Sequence, residues 1–457
     1  MLLAGCEGGT TIAPPPLPAV SLSASLLRFP ARLGIVLAYS TDSLQPSGWQ
    51  SAGNVPPVTR PLGYDLDQRL IYFLDRENRL TTLDLEAGVT RVLIEDTRAA
   101  TVGPDGAAFA VTASGELVRI ARRTTTTFQA AFAEPPPAMF GTLNGQVVTL
   151  NKDSTLTLSL QSPEQPGSPV AIEAGPVAAT TWGEMVATAS GKEVRLIRPR
   201  NPEQSERFTL PAPALDLVFS PSGHRLYLLT VDAQIVVFNR FTGDRVKIID
   251  LPGPGDLLRP DPSGRWMLIR PSATDSVWVM DLATLNPPSA SLPSAWGPTL
   301  PLVAGAATLL TAEGPDVVGW NLAASIPTPV ARVPGGALDT WLAIPWVPPQ
   351  RARAFAAALE EASALQDSSL VSNRERPTAG PTFFLQISSS QSPVWARELA
   401  DQLVKDGLPA TVWRPTGVSD GYRVVIGPFA TRDEAEDAGR DLGRPYFTVT
   451  GPQATRP

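Results

Sequence analysis

Glycine returns in this sequence at a nearly fixed interval, each time inside a short polar turn. Gly106 closes Pro104-Asp105-Gly106, Gly145 closes Leu143-Asn144-Gly145, Gly223 closes Pro221-Ser222-Gly223 and Gly264 closes Pro262-Ser263-Gly264, with Gly183 and Gly305 on the same beat. The intervals are 39, 38, 40, 41 and 41 residues. One period earlier, Leu66-Asp67-Gln68 holds the same place without a glycine. An apolar run follows each turn, at 70–74, 107–111, 147–150, 185–189, 226–229, 266–269 and 307–310. A second run comes about ten residues later, as at 80–85, 234–238, 277–282 and 317–322, and in several repeats a turn such as Thr242-Gly243-Asp244 follows it. Short apolar runs bounded by Gly, Pro, Asp and Ser are strand signals, and the span from about 55 to 340 carries no long helical period.

A unit of strand, turn, strand and turn cannot bury its own apolar faces, so such units must stack on one another. A lone four-stranded sheet leaves two open edges and bare faces, and radial stacking covers the faces. The pattern therefore predicts an all-β propeller of about seven four-stranded blades over 55–345, with 33–39 as a possible closing strand from the N-terminal side. The repeats resemble WD40-like and related bacterial propeller repeats, most closely at Phe219-Ser220-Pro221-Ser222-Gly223. The Trp-Asp dipeptide is absent; Val279-Met280-Asp281 and Gly319-Trp320-Asn321 stand in its place.

Composition narrows the function. Lys and Arg number 37 against 44 Asp and Glu, a net charge of −7, with no basic runs. That argues against a nucleic-acid groove and against electrostatic docking on anionic lipid. There is one cysteine, Cys6, and one histidine, His224. One of each cannot supply the usual zinc sites, and any Ser–His or Cys–His catalysis would run through His224 alone. His224 follows Pro221-Ser222-Gly223, which reads as a hairpin turn and predicts an exposed turn histidine. No metal and no cofactor is expected, and the propeller reads as a non-enzymatic platform for a protein or ligand partner. The alternative is an envelope enzyme acting on lactones or sugars, which would need inward-facing carboxylates.

Residues 1–54 read as an anchor and tether. Met1-Leu2-Leu3-Ala4-Gly5-Cys6 resembles the lipobox of bacterial lipoproteins. The resemblance implies cleavage before Cys6, its acylation, and attachment to a membrane by lipid alone. The charged and apolar regions that precede such a box are missing, for which a start codon placed too far downstream is the expected reason. Glu7 stands where an Asp would resemble an inner-membrane retention signal, so the reading favours an outer-membrane anchor facing the periplasm. The 10–20 stretch, with Pro14-Pro15-Pro16, predicts an extended, semi-rigid tether. No later stretch reaches the roughly 20 apolar residues of a membrane span.

Residues 346–381 predict one short helix at 351–365 and then a polar joint broken by Asn373, Pro377, Gly380 and Pro381. Residues 382–453 read as a small α+β domain of order βαββαβ. A strand at 382–388 puts Phe383, Leu385 and Ile387 inward and Phe384, Gln386 and Ser388 outward. A helix at 392–406 follows, with Ser392 as cap, Pro393 in the first turn, Trp395, Leu399, Leu403 and Val404 on one face, and Gly407 as its stop. A strand at 410–414 and a turn at 417–421 lead to the strand 422–429, which breaks at Gly427-Pro428 and runs into a helix at 432–442. Thr431 is its candidate N-cap, and Asp433 and Glu434 suit the positive end of the helix dipole. A last strand covers 445–450. This order predicts an antiparallel sheet with two helices on one face.

The wording is more specific than the order. Phe384-Leu385-Gln386-Ile387-Ser388-Ser389-Ser390, Tyr422-Arg423-Val424-Val425-Ile426-Gly427-Pro428-Phe429 and Thr431-Arg432-Asp433-Glu434-Ala435 resemble the SPOR (sporulation-related repeat) domain. That resemblance implies binding to peptidoglycan, with a preference for glycan strands stripped of stem peptides, as found at division septa. It implies a binding surface on the sheet face away from the helices. Gln386 then stands at the family's first-strand Gln, Ser389 three residues on, and Arg423 at the third-strand polar contact. Tyr422 adjoins a position where some members have an aromatic residue. Trp413, on the outward face of the second strand, offers a flat surface for a sugar ring. Ser388 stands where many members carry a Gly after the Gln.

Overall fold

The computed structural model describes residues 24–348, apart from 123, 153, 154, 165, 166 and 289, and residues 383–450, apart from 391, 392, 406, 415–421 and 443–445. The Cys6 box, the 10–20 tether, the 351–365 helix, the 366–381 joint, the Ser392 cap and the 417–421 turn lie outside the described residues.

The 40-residue period becomes a ring of blades. Seven four-stranded antiparallel sheets follow one another in chain order, from the sheet that begins at Val58–Asp65 to the one that ends at Thr328–Val333. The first strands of neighbouring sheets meet: Ala214–Phe219 touches Val177–Ala179 on one side and Gly255–Pro260 on the other. The first strands therefore line the axis and the fourth strands lie outside.

An eighth sheet closes the ring, one more than the period predicts. Its inner strand is Thr340–Ile344, and its other three are Ser25–Phe29, Leu37–Ser40 and Pro46–Gln50. Ser25 pairs with Ile344, Leu27 with Leu342 and Phe29 with Thr340. Trp341 is fully buried here, donates from Nε1 to the Gly336 carbonyl at 2.8 Å, and packs on Tyr39 at 5.6 Å. The blade escapes a search for repeats because its strands come from opposite ends of the ring, so no single period contains them. Of the expected closing strand at 33–39, only Leu37–Ser40 pairs; Leu33 is exposed in the turn before it.

The turn glycines do what the spacing implies. Gly106, Gly145, Gly183, Gly223, Gly264 and Gly305 all hold positive φ, and Arg69 takes φ 55° where the first repeat lacks glycine. At Gly183 a Cβ would lie 2.5 Å from the Gly141 carbonyl oxygen of the preceding blade, so a side chain is excluded by contact as well as by φ.

Blades are buried on both faces, which is why their inner runs are apolar without alternation. In the fifth blade Leu226 and Leu228 join Leu217 and Phe219 against Met185 and Leu196 of the fourth. Tyr227 and Leu229 point the other way, against Leu258, Met267 and Ile269 of the sixth. A side-chain period of two thus feeds two interfaces at once.

The C-terminal domain has sheet order Ala410–Trp413, Tyr422–Phe429, Phe383–Ser390, Phe447–Thr450. Its helices, Pro393–Lys405 and Arg432–Asp441, follow the first and third strands. Leu385, Val424, Ile426 and Phe429 meet Ala396, Ala400, Leu403, Ala435 and Leu442 in one core. Thr431 caps the second helix by accepting from Glu434 N at 3.1 Å.

Candidate functional site

Two features of the C-terminal domain stand out: the sheet face away from its helices, and the seam where it meets the propeller.

On the open face the middle row is Thr411, Val425, Gln386 and Phe447, set by the pairs Thr411–Val425, Gln386–Val425 and Gln386–Phe447. Trp413 pairs with Arg423 in the next row. The rings of Phe384 and Trp413 meet edge to face at 4.8 Å, although the strand Tyr422–Phe429 runs between their own strands. The two rings therefore close over the intervening strand, and Val425 beneath is fully buried. Gly427 makes room: at φ 142°, with a Cβ that would lie 2.9 Å from Phe384 Cδ1, it lets that ring lie against the sheet. Arg423 is half-buried, and among the described residues its side chain makes no hydrogen bond or ion pair. A flat aromatic surface beside a guanidinium can stack on a sugar ring and donate to its oxygens.

The five residues singled out by sequence do not all share this surface. Trp413 and Arg423 do. Gln386 lies on the same side but is only 5% exposed, so it forms the floor and not an open contact. Ser389 stands opposite Arg423 in the backbone register because a β-bulge inserts Ile387 between the Gln386–Val425 and Ser388–Val424 pairs. The same bulge moves Ser388 to the row of Val424, on the helix side, where simple alternation had put it outward. Tyr422 packs against the helix-side core, one residue out of step with Arg423. Phe384 is a surface residue that the sequence reading left unassigned; its signal was its position two residues before Gln386 on the same face.

The seam corrects the reading of His224. It is buried, 8% exposed, and its Nδ1 lies 3.2 Å from Glu436 Oε1 on the second helix. Thr448 donates to the same oxygen at 2.7 Å and Tyr446 to Oε2 at 3.0 Å. Burial pushes the Glu436 carboxyl up, but the hydrogen bonds from His224, Thr448 and Tyr446 and the charge of His224 outweigh it and hold it at about 2. Facing an ionised carboxylate, Nδ1 carries the proton and donates. Burial, and then the Glu436 charge, push the Tyr446 hydroxyl well above its ordinary value.

Beside this pair, Phe241 of the propeller lies between two guanidiniums. Arg240 is 4.4 Å from its ring centre and Arg432, from the C-terminal domain, is 4.0 Å away. Arg240 also lies 5.7 Å from the Phe447 ring and pairs with Glu184 of the fourth blade at 2.7 Å. A cavity of about 260 Å³ follows the seam, lined by Ser220, Ser222, Arg225, Asp433, Arg440 and Tyr446 among others. Nothing in the local pattern marks these contacts, because their partners are about 200 residues apart, as the 212 between His224 and Glu436 shows.

Two propeller carboxylates, Asp261 and Asp216, serve the backbone. Asp261 accepts from Ser263, Gly264 and Trp266 amides, and Asp216 from Leu217 and Leu258 amides. Among the described residues no group of three or more His, Cys, Asp or Glu side chains is placed to hold a metal ion. Among them, too, no helix is long and apolar enough to cross a membrane.

The architecture is that of a propeller followed by a small sheet-and-two-helix module. The family model described as SPOR domain matches residues 379–445, and the C-terminal module is a SPOR domain. No curated protein sequence matches the chain. Among solved structures, the dihydro-heme d1 dehydrogenase NirN is 17% identical, with 72% of this chain and 77% of that one covered and a TM-score of 0.51. Apo AztD from Citrobacter koseri is 11% identical, with 70% and 98% covered and a TM-score of 0.52. At these identities the likeness is one of fold, that of the propeller.

Proposed function

We propose that this chain is a non-enzymatic cell-envelope protein that holds peptidoglycan glycan strands through its SPOR domain and presents the propeller as a platform for a partner. The observation that carries the reading is the open face of the SPOR sheet. There the Phe384–Trp413 surface and the half-buried Arg423 beside it suit an uncharged glycan ribbon, with stacking for the rings and a guanidinium for acetamido and hydroxyl oxygens. Asp216 and Asp261 of the propeller accept from backbone amides and Asp105, Glu184 and Asp339 pair with arginines, which supports a structural use for these carboxylates. We place the protein on the periplasmic side of the envelope, at the division septum, lipid-anchored through Cys6 in the outer membrane. Pelleting of the full chain with purified sacculi tests the first part. Binding above a control protein, stronger after amidase treatment, is expected, and no pelleting above control would sink it. Incorporation of a palmitate analogue that is lost in Cys6→Ser tests the anchor.

A further inference from the structure

The strand Phe447–Thr450 is one edge of the SPOR sheet and, among the described residues, pairs only with Phe383–Ser390, the strand that carries Phe384 and Gln386. A four-residue edge strand held on one side, as Ala410–Trp413 is at the opposite edge, is prone to fray. The propeller meets it directly on one face and through Glu436 on the other. On the inward face Thr448 is bonded to Glu436, and Glu436 to His224. On the outward face Arg240 lies against Phe447, the register partner of Gln386. The grip is itself stiff. The Arg240 amide donates to the His224 carbonyl at 2.9 Å, so the two propeller turns are tied together. Asn239 Oδ1 accepts from the Phe241 amide, and Arg240 is anchored to Glu184. Phe241, between Arg240 and Arg432, joins the two domains while staying 45% exposed.

We propose that the propeller turn 239–243 is a positioning element for the glycan-binding sheet: by clamping the edge strand it preorganises the Gln386 side of the open face. The inference rests on the peptidoglycan reading above. Its physical content is that order established before binding is not charged to the binding step. Linkage makes the effect reciprocal: if docking strengthens glycan binding, bound glycan strengthens docking by the same factor.

The test uses the full chain and amidase-treated sacculi. Phe241→Ala is expected to weaken binding about tenfold, within the usual range of such couplings, with both domains unfolding at wild-type temperatures. Phe241→Tyr, which keeps the ring, should restore binding, and Arg432→Gln should give a smaller loss. Soluble denuded glycan should slow hydrogen exchange in the 222–243 turns of the wild-type chain, which a purely structural contact would not produce. Phe241→Ala binding as well as or better than wild type overturns the inference, as does exchange at the seam that ignores glycan. A wild-type chain that fails to pellet overturns the peptidoglycan reading and this inference with it.

Discussion

Removing the Glu436 carboxylate should unfold the SPOR domain selectively. In Glu436→Ala three donors lose their acceptor: Thr448 Oγ1 at 2.7 Å, Tyr446 Oη at 3.0 Å and His224 Nδ1 at 3.2 Å. All three residues are buried, although His224 and Tyr446 also line the seam cavity, through which water can reach the site. Leaving a buried donor without its acceptor costs about 1–3 kcal/mol. The carboxyl group gives a second route to the same magnitude. Held at about 2 against an ordinary 4.5, it contributes roughly 3 kcal/mol of stability. Because the folded value is the lower one, that contribution is complete above pH 4.5 and is lost as the pH falls towards 2. For a domain of this size about 3 kcal/mol lowers the midpoint by roughly 12–24 °C. Scanning calorimetry of the full chain at pH 7 should show that drop in the SPOR transition and no change in the propeller transition. A SPOR shift below about 4 °C would mean that the carboxylate is solvated and the network carries little energy. In acid, the wild-type transition should fall steeply between pH 4.5 and 2, whereas that of Glu436→Ala should flatten over that window.

Other variants separate binding from folding. Trp413→Ala should weaken sacculus binding about three- to tenfold, the worth of one aromatic contact, and Arg423→Ala should do likewise without moving either unfolding transition. Trp341→Ala removes a fully buried ring from the closing blade and should cost about 3–5 kcal/mol, lowering only the propeller transition in calorimetry. Gly183→Ala, at φ 67° and against the Gly141 carbonyl, should destabilise the propeller by at least 1–2 kcal/mol; an unchanged midpoint would mean that the turn had rearranged.

What could be read from the chain was whatever repeats or stays local. Glycines 38 to 41 residues apart marked the blades because each one terminates the same turn. Thr431 as a cap and Leu385, Val424 and Ile426 as core residues followed from spacing alone. Register was less legible: one extra residue, Ile387, changes which serine stands across from Arg423, and a bulge leaves no mark in the hydrophobic pattern. Exposure was less legible still. Gln386 sits on the face expected of it, yet two rings from flanking strands close over its neighbour Val425 and leave it as floor.

The order of residues was enough for the propeller class and the βαββαβ domain, since periodicity and turn chemistry act over a few residues, and the candidate face followed from the resemblance to the SPOR domain. The closing blade, the burial of His224 and the clamp on Phe447–Thr450 exist only once distant segments meet. His224 looks like any turn histidine until Glu436, 212 residues on, is brought to it. A contact of that kind depends on how two separately folded surfaces fit, and no local preference encodes that fit.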